Sequence, residues 1–374
     1  MSPPATAAPS PASYAWEATD EEIADHYGVS LERILRFDLN TAPEPPALVA
    51  EVLARGAFET TLSEYPPSDY RRLVAAAANV YGVDPDEVLV GAGADEILDL
   101  AGKAFLPPGG SAVVPVPSYA MYRVITEQRG ARVVGVTRRP AAEGWALDLD
   151  ATAEAAASAD LVWLCNPNNP TALAEPDGTI ESLLDALEAG AARTGARPPT
   201  VVLDEAYAEF TGRSLVELRN RHGNLVVVRT ASKAYALAGL RVGFAIARAE
   251  TIAQLALYRP PGSVSTVSAT VVTAALRDGS AMRANLARVE RERDRLTGGL
   301  QAVGWTVGPS VTNFLLVDFG TVDRASTTAE ALLRRAIVPR TFGGDHPLSA
   351  YLRFTIRDMA GNDRLIAAAG ETGR

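Results

Sequence analysis

The sequence predicts an α/β protein in which a large domain, built on a mostly parallel seven-stranded sheet flanked by helices, precedes a smaller α+β C-terminal domain. Short apolar runs alternate with helical patterns between about residues 70 and 247, as expected for strands joined by crossover helices. Several runs are apolar at consecutive positions, which is typical of strands buried on both faces. After about residue 248, long helical patterns and few strands follow.

The predicted elements can be placed in chain order. The seven strands of the sheet are Val88–Val90, Ser111–Pro115, Arg132–Val136, Leu161–Cys165, Thr200–Leu203, Leu225–Val228 and Gly243–Ala247. The helical patterns around them are Asp69–Tyr81, Ala94–Ala104, Tyr119–Arg129 and Ile180–Arg193. Beyond them we expect one long helix, a second helix and two strands, namely Ser268–Ala302, Ala325–Arg335, Phe314–Val317 and Leu352–Ile356. This order predicts an N-terminal tail and arm over residues 1–39, the large domain over 40–262 and the small domain over 263–374.

Composition narrows the class of protein. The net charge of −10 argues against a nucleic-acid surface. One cysteine, Cys165, excludes an internal disulfide framework, and three scattered histidines predict no metal site. The segment Met1–Ala12 is rich in Pro, Ala and Ser, which predicts a disordered tail and not a signal peptide. Because no apolar run is long enough to span a bilayer, we expect a cytoplasmic protein.

A lysine, Lys233, follows the strand Leu225–Val228 among small and apolar residues. Partial desolvation there would favour the neutral amine, a nucleophile toward an aldehyde. Thr230, Ser232 and Arg241 supply the hydroxyl donors and the cation that hold a phosphate dianion. An aldehyde and a phosphate on one small molecule describe pyridoxal phosphate (PLP). Taken alone, Lys233 is also compatible with a solvated loop lysine. The residues at the other strand ends distinguish between these two interpretations.

Polar residues follow the other predicted strands, beyond whose carboxyl ends ligands bind in open α/β sheets. Gly91–Glu96 opens a helix with free N–H groups at Ala94 and Asp95, which suits a phosphate, although Asp95 is also a common helix cap. Asn169 lies in a rigid turn and can donate a hydrogen bond to the phenolate oxygen of PLP. Tyr119 can stack on a planar ring or be an ordinary core or surface tyrosine.

Asp204 follows the strand Thr200–Leu203 directly. A carboxylate there often only caps the next helix. A buried anion is also what keeps the pyridine nitrogen of PLP protonated, so that the ring withdraws electrons from a carbanion. Tyr207, one helical turn later, is placed to share the phenolate oxygen with Asn169.

With these residues in hand, the chain closely resembles the fold-type I PLP-dependent aminotransferases, which have the aspartate aminotransferase-like fold, and within them the histidinol-phosphate aminotransferase group. The resemblance covers about residues 30–368. The matching segments occur in family order: Gly91–Leu100, Pro117–Tyr122, Asn166–Thr171, Asp204–Phe210, Thr230–Phe244, Tyr258–Pro261 and Tyr351–Ile356.

The resemblance implies a role for each residue. Lys233, Asp204 and Tyr207 would be catalytic, with Lys233 bound covalently to PLP and Asp204 paired with its pyridinium. Further cofactor contacts would come from Tyr119, Asn169, Ala94, Asp95, Thr230, Ser232 and Arg241. Tyr65 resembles the tyrosine that reaches the cofactor phosphate of the neighbouring subunit, which implies a homodimer. The substrate side would include Arg353, which binds the α-carboxyl group or its equivalent, together with Asn169, Asn40 and Tyr14.

The implied reaction is a ping-pong transamination from L-histidinol phosphate to 2-oxoglutarate. Threonine-phosphate decarboxylation, aromatic amino acid transamination and a PLP-binding protein without turnover remain alternatives. PLP-binding regulators usually carry a fused DNA-binding domain, and the residues before this fold are few and not basic. The chain departs from the family at Ala172, where a glycine is usual, at Thr41–Ala42 and at Arg357. We expect these departures near the substrate side, where they affect the choice of amino donor.

Overall fold

The computed structural model describes Ser13 and residues 17–372. Met1–Ala12 and Tyr14 lie outside the described residues. The chain begins with α1 (Asp20–Tyr27), β1 (Leu35–Arg36) and α2 (Ala47–Arg55). Thr19 caps α1: its hydroxyl accepts from the backbone N–H of Glu22, and the Glu22 carboxylate accepts from the N–H of Thr19. Residues 38–41, which follow β1, line the cavity described below.

One seven-stranded sheet forms the centre of the molecule. Its strands are β2 (Val88–Gly91), β3 (Ser111–Val116), β4 (Arg132–Thr137), β5 (Leu161–Cys165), β6 (Thr200–Asp204), β7 (Leu225–Thr230) and β8 (Gly243–Ile246). They lie in the order β2-β8-β7-β6-β5-β3-β4, and β8 runs antiparallel to both of its neighbours. All seven predicted strands and the mostly parallel arrangement are confirmed.

Helices cover both faces of this sheet. They are α3 (Arg71–Tyr81), α4 (Ala94–Phe105), α5 (Met121–Gln128), α6 (Leu149–Ala156), α7 (Thr179–Thr194) and α8 (Ala249–Ala256). On one face, Ile97 of α4 and Tyr122 of α5 pack with Trp163 of β5. On the other, Leu183 of α7 packs with Leu164 of the same strand. Because successive strand residues point to opposite faces, a fully buried strand needs the consecutive apolar residues that the sequence contains.

The C-terminal part of the chain contains α9 (Thr266–Asp278), α10 (Ser280–Ala302), β9 (Thr306–Val307), β10 (Phe314–Asp318), α11 (Val322–Leu333), β11 (Ile337–Val338), β12 (Tyr351–Thr355) and α12 (Met359–Thr372). Strands β9, β10 and β12 form an antiparallel three-stranded sheet. Strand β1 pairs in parallel with β11, which joins the N-terminal segment to this lobe. No helix among residues 17–372 has the length and apolar character needed to cross a bilayer.

The prediction of one continuous helix over Ser268–Ala302 is wrong. The chain forms two helices separated at Gly279, whose φ of +64° ends α9 in the left-handed conformation. Glycine adopts this conformation without steric cost. Helix α9 packs against α3 in one apolar cluster that includes Leu73 and Val271. Helix α9, which the prediction places in the small domain, thus contacts α3 of the large domain. The domain boundaries at residues 39 and 262 stay a proposal.

Candidate active site

A cavity of about 570 Å³ opens at the carboxyl ends of the central strands. Its size is in the range of cavities that bind a cofactor or a small substrate. The predicted site residues that line it are Asn40, Ala94, Asp95, Tyr119, Asn169, Asp204, Tyr207, Thr230, Ser232, Lys233, Arg241 and Arg353. Tyr65 lies outside this cavity, on the surface, and Tyr14 lies outside the described residues.

Lys233 points into this cavity, which excludes a solvated loop lysine. Its Nζ donates a hydrogen bond to the backbone carbonyl of Asn40 at 3.2 Å and lies 5.8 Å from the centre of the Tyr207 ring. Burial, followed by the positive charge of Arg353, lowers the pKa of Lys233 to about 8. Because an ordinary lysine has a pKa near 10.4, Lys233 holds a far larger neutral amine fraction near neutral pH.

Asp204 forms a buried anionic wall of the cavity, with only 4% of its surface exposed. Its Oδ2 accepts a hydrogen bond from the Tyr122 hydroxyl at 2.8 Å, and its Oδ1 accepts from the backbone N–H of Ala206 at 3.0 Å. Burial raises the pKa of Asp204 to about 6, and the hydrogen bond from Tyr122 opposes this rise. The carboxylate thus accepts a hydrogen bond within a turn and also lines the cavity, so it does more than cap, and its pairing with a ring nitrogen stays a prediction.

Two glycines shape the end of the cavity next to α4. A Cβ atom on Gly93, whose φ is +85°, would lie 2.5 Å from Nη2 of Arg241. A Cβ atom on Gly243 would lie 2.4 Å from the carbonyl carbon of Gly93. Only glycine therefore permits this approach of β8 and Arg241 to the first turn of α4.

Polar side chains gather at this glycine-rich end. Nη2 of Arg241 donates to Oδ2 of Asp95 at 3.1 Å, and the Tyr119 hydroxyl donates to Oδ1 of Asp95 at 3.0 Å. The hydroxyl oxygens of Thr230 and Ser232 lie 3.0 Å apart. A guanidinium, two hydroxyls and the first N–H groups of α4 are donors that suit a phosphate dianion.

Asn40 connects the predicted catalytic residues. Its carbonyl accepts from Lys233 and also from Nδ2 of Asn313 at 3.0 Å, and its own Nδ2 donates to the Tyr207 hydroxyl at 3.1 Å. Its backbone N–H donates to the Thr355 hydroxyl at 2.8 Å. With these bonds Asn40 is held at a φ of +53°, a conformation that asparagine tolerates better than most residues.

Two arginines line the predicted substrate side of the cavity. Arg353 is 8% exposed and donates to Oδ1 of Asn169 and to the carbonyl of Asp38, both at 2.5 Å. Arg340 also lines the cavity, and its backbone exchanges both hydrogen bonds with Arg353 at 3.0 Å each. Arg340 forms an ion pair with Glu17 at the cavity mouth. Arg353 is therefore not a solvent-exposed arginine, although β12 is an edge strand of its sheet.

Sequence reasoning assigned no role to Tyr122, Arg340, Asn313 or Glu17. Tyr122 lies in the matched segment Pro117–Tyr122, three residues after Tyr119. Its place in that segment could have predicted a position near the site. The other residues approach the cavity through contacts distant in sequence. Of the family departures, Thr41 lines the cavity, whereas Ala172, which adopts a φ of +65°, and Arg357 do not. The positions of Ala172 and Arg357 thus do not support the expectation that these two departures affect the choice of amino donor.

The cavity fits PLP in chemical terms. It combines a phosphate-binding end that a Cβ atom would fill, a buried carboxylate for a ring N–H, and a lysine with a lowered pKa. Arg241, Asp204 and Lys233 all line one cavity, and their chemistry suits a molecule that carries a phosphate, a pyridine nitrogen and an aldehyde. The described residues therefore include a group suited to the phosphate, one suited to the ring nitrogen and one suited to the aldehyde of PLP.

Comparison with known proteins agrees with this site. The family model for aminotransferase class I and II matches residues 35–368. The histidinol-phosphate aminotransferase of Roseiflexus castenholzii is 36% identical over 330 residues, which cover 86% of this chain and 85% of the relative. That of Symbiobacterium thermophilum is 35% identical, with 91% of each chain covered.

A solved structure resembles the whole chain. The histidinol-phosphate aminotransferase of Sinorhizobium meliloti, in complex with pyridoxal-5'-phosphate, superimposes with a TM-score of 0.86 at 25% identity, over 96% of this chain and 95% of that one. Fold, family model and cavity chemistry thus agree. The chain belongs to the aminotransferase class I and II family and is a PLP-dependent transaminase of fold type I.

Proposed function

We propose that this enzyme transfers the amino group of L-histidinol phosphate to 2-oxoglutarate. The observation that carries the proposal is the pair of arginines on the substrate side, Arg340 and Arg353. Because the two residues are directly opposed in an antiparallel pair, their side chains leave the same face of the sheet. Guanidinium groups bind phosphate and carboxylate oxygens through paired hydrogen bonds. The names of the relatives above support the same donor.

The arginine pair suits both half-reactions of a ping-pong enzyme. L-Histidinol phosphate brings one phosphate, whereas glutamate and 2-oxoglutarate each bring two carboxylates. Arg353 is buried, and two of its contacts are to uncharged acceptors, the side-chain oxygen of Asn169 and the backbone carbonyl of Asp38. Arg340 lies nearer the mouth and would meet the distal anionic group. One site can then accept both substrates in turn.

Different residues would hold the phosphate, the ring and the phenolate oxygen of PLP. The phosphate would be held by Ala94, Asp95, Thr230, Ser232 and Arg241. Tyr119 would cover the ring, Asn169 and Tyr207 would donate to the phenolate oxygen, and Asp204 would keep its negative charge beside the ring nitrogen. When bound, PLP supplies an aldehyde that condenses with amines and a ring that accepts electrons from the adjacent carbon.

Lys233 would move the proton in each half-reaction. With PLP bound, Nζ of Lys233 would be the base that takes a proton from the donor Cα and the acid that gives it back. The lowered pKa of Lys233 leaves the amine able to accept that proton near neutral pH. Asn40, whose carbonyl accepts from Nζ, would hold the amine in place between the two transfers.

A panel of amino donors tests the proposed substrate. With 2-oxoglutarate as acceptor, we expect L-histidinol phosphate to have the highest kcat/KM. Unphosphorylated L-histidinol should fall by roughly 10²-fold, since hydrogen bonds to a charged group contribute about 1.5–3 kcal/mol each. The measurement is glutamate formed, together with carbon dioxide released from threonine phosphate. Carbon dioxide release without an oxo-acid acceptor would identify a decarboxylase, and a higher kcat/KM for phenylalanine would identify an aromatic transaminase.

We also propose that the enzyme works as a homodimer with shared sites. Tyr65 is 92% exposed, and Leu62 and Leu257 are 64% and 81% exposed. The segment around Leu257 is tied to that around Tyr65, because Arg259 donates to the carbonyl of Ser68. Large apolar side chains exposed together are typical of an interface. This face supports an arrangement in which Tyr65 reaches the cofactor phosphate of the second subunit.

Mixing two inactive variants tests the shared site. Tyr65→Ala and Lys233→Ala subunits are each expected to have low activity alone. A mixed dimer would contain one site with both substitutions and one site with neither, so random pairing should restore about one quarter of wild-type activity. Activity is measured after the two variants are co-refolded. If the mixture shows only the sum of the two separate activities, Tyr65 does not act across an interface.

A further inference from the structure

A cluster of charged side chains lies behind two residues that line the cavity, Asp204 and Thr230. Their chain neighbours Glu205 and Arg229 do not line it, as expected because successive residues of a strand point to opposite faces. Nη1 of Arg229 donates to Oε2 of Glu205 at 2.9 Å, and Nη2 donates to Oε1 of Glu209 at 2.7 Å. Glu205, Glu209 and Arg229 are called the ion cluster below.

The ion cluster is almost closed to solvent. The side chains of Arg229, Glu205 and Glu209 are 6%, 1% and 8% exposed. The guanidinium carbon of Arg229 lies 4.9 Å from the centre of the Tyr81 ring, and Nη1 also donates to the hydroxyl oxygen of Ser214 at 2.9 Å. Burial raises the pKa of Glu205, and the charge of Arg229 opposes that rise. Because a buried charge without its partner is costly, the three residues hold one another in place.

Glu209 links the ion cluster to Tyr207, which lines the cavity. It lies in the short turn Ala208–Thr211, which begins directly after Tyr207. The carbonyl of Tyr207 accepts from the backbone N–H of Phe210 at 3.1 Å, so this turn and the Tyr207 backbone form one unit. The bond from Arg229 to Glu209 therefore ties the backbone of Tyr207 to β7.

The other printed contacts of Tyr207 are made by its ring and its hydroxyl. The hydroxyl oxygen accepts from Nδ2 of Asn40 at 3.1 Å, and the ring lies 5.3 Å from that of Phe314, at 77°. A tyrosine hydroxyl that accepts one hydrogen bond keeps its own hydrogen to donate. Its aim into the cavity then depends on where the turn places the Tyr207 backbone.

We propose that Glu209 and Arg229 are positioning residues that set the Tyr207 hydroxyl against the phenolate oxygen of PLP. They do not line the cavity and act through the turn that follows Tyr207. The effect is large for a small movement, because a hydrogen bond weakens steeply as its angle departs from linear. The inference rests on the contact between Tyr207 and the phenolate oxygen proposed above and adds the residues that support it.

Glu209→Ala tests this in the full chain after removal of the cofactor. The probes are PLP and an analogue with hydrogen in place of the phenolate oxygen, and quenching of tryptophan fluorescence gives both dissociation constants. We expect the preference of the wild type for PLP over the analogue to fall about 10-fold, as for one lost hydrogen bond to a charged group. Glu209→Gln keeps an oxygen that can accept from Arg229 and should keep the preference within about 2-fold.

Glu87→Ala is the matched control. It removes the carboxylate partner of another buried arginine, Arg219, whose Nη2 donates to Oε2 of Glu87 at 2.6 Å, and neither residue lines the cavity. It should lower the melting temperature and leave the preference for PLP unchanged. If Glu209→Ala also melts earlier but keeps the preference, the ion cluster contributes stability alone and the inference is overturned. An equal fall in Glu87→Ala overturns it too, because lost stability would then explain the effect.

Arg229→Lys is a second variant that covers the case in which Glu209→Ala does not fold. Lysine keeps the positive charge but lacks the planar fork that reaches both carboxylates, so the same fall in preference is expected. A wild type that binds PLP and the analogue equally refutes the contact between Tyr207 and the phenolate oxygen, and the inference falls with it. A wild type that prefers PLP, and keeps that preference in Arg229→Lys, refutes the role of the ion cluster alone.

Discussion

Replacing Lys233 with alanine is expected to lower kcat by roughly 10⁴-fold, the upper end of what a positioned acid–base group contributes. The variant loses the amine that binds the cofactor and the group that moves the proton from the donor Cα. Nothing else in the described part of the cavity replaces it, because no second lysine lines the site. Steady-state kinetics with saturating donor and 2-oxoglutarate gives the measurement.

Reduction with borohydride provides a control that does not depend on turnover. Wild-type enzyme with PLP should carry a reduced cofactor adduct on the peptide that contains Lys233, and Lys233→Ala should carry none. The rate at which the cofactor-free wild type captures PLP should rise as the pH increases through about 8, because the neutral amine is the nucleophile and the pKa of Lys233 is lowered to that value. An adduct on another lysine, or full activity in Lys233→Ala, would remove Lys233 from the mechanism.

Asp204→Asn is expected to lower kcat by roughly 10²- to 10³-fold, comparable to the loss of one preorganised electrostatic group. Asparagine keeps the shape and can still accept from Ala206, but it removes the buried negative charge that would hold a proton on the cofactor ring nitrogen. Because Asp204 is almost fully buried, no solvent counter-charge replaces it. The measurement is kcat for the donor half-reaction under single-turnover conditions.

Tyr122→Phe provides a graded companion to this variant. Phenylalanine retains the stacking of the ring on Trp163, whose centroid lies 5.4 Å away, and removes only the hydroxyl bonded to Asp204. The pKa of Asp204 should then rise further, so kcat should fall about 10-fold, as for one lost hydrogen bond to a charged group. A cofactor analogue with carbon in place of the ring nitrogen should bind Asp204→Asn as well as PLP does, whereas Tyr122→Phe, which keeps the carboxylate, should still bind PLP more tightly than the analogue. If Asp204→Asn still binds PLP more tightly than this analogue, Asp204 is not the partner of the ring nitrogen.

The strands and most residues that line the cavity were predictable because their signals are local. An apolar run such as Leu161–Cys165 can be recognised from neighbouring residues, and the carboxyl ends of parallel strands meet at one edge of the sheet. Asp204 and Lys233 therefore came together as expected. The break at Gly279 was missed although its signal is local, because the helical pattern on both sides is continuous.

Contacts between distant residues were not predictable. Arg340 meets Arg353 through a backbone pair across a loop, and Glu17 reaches Arg340 from the other end of the chain. Tyr122 reaches Asp204 only because α5 packs on β5 at one particular position. Such pairs depend on the sum of many weak packing contacts, and no short stretch of sequence records that sum.

By itself the sequence determined the fold type, the family with its cofactor and most of the residues that line the cavity, because the motifs that indicate them are local. Only the tertiary structure decided which arginines line the cavity together, which hydroxyl supports the buried carboxylate and which acidic residue pairs with Arg340. The physical reason is that chemistry is carried by residue type and local backbone, whereas selection among substrates depends on distances between side chains that only packing sets.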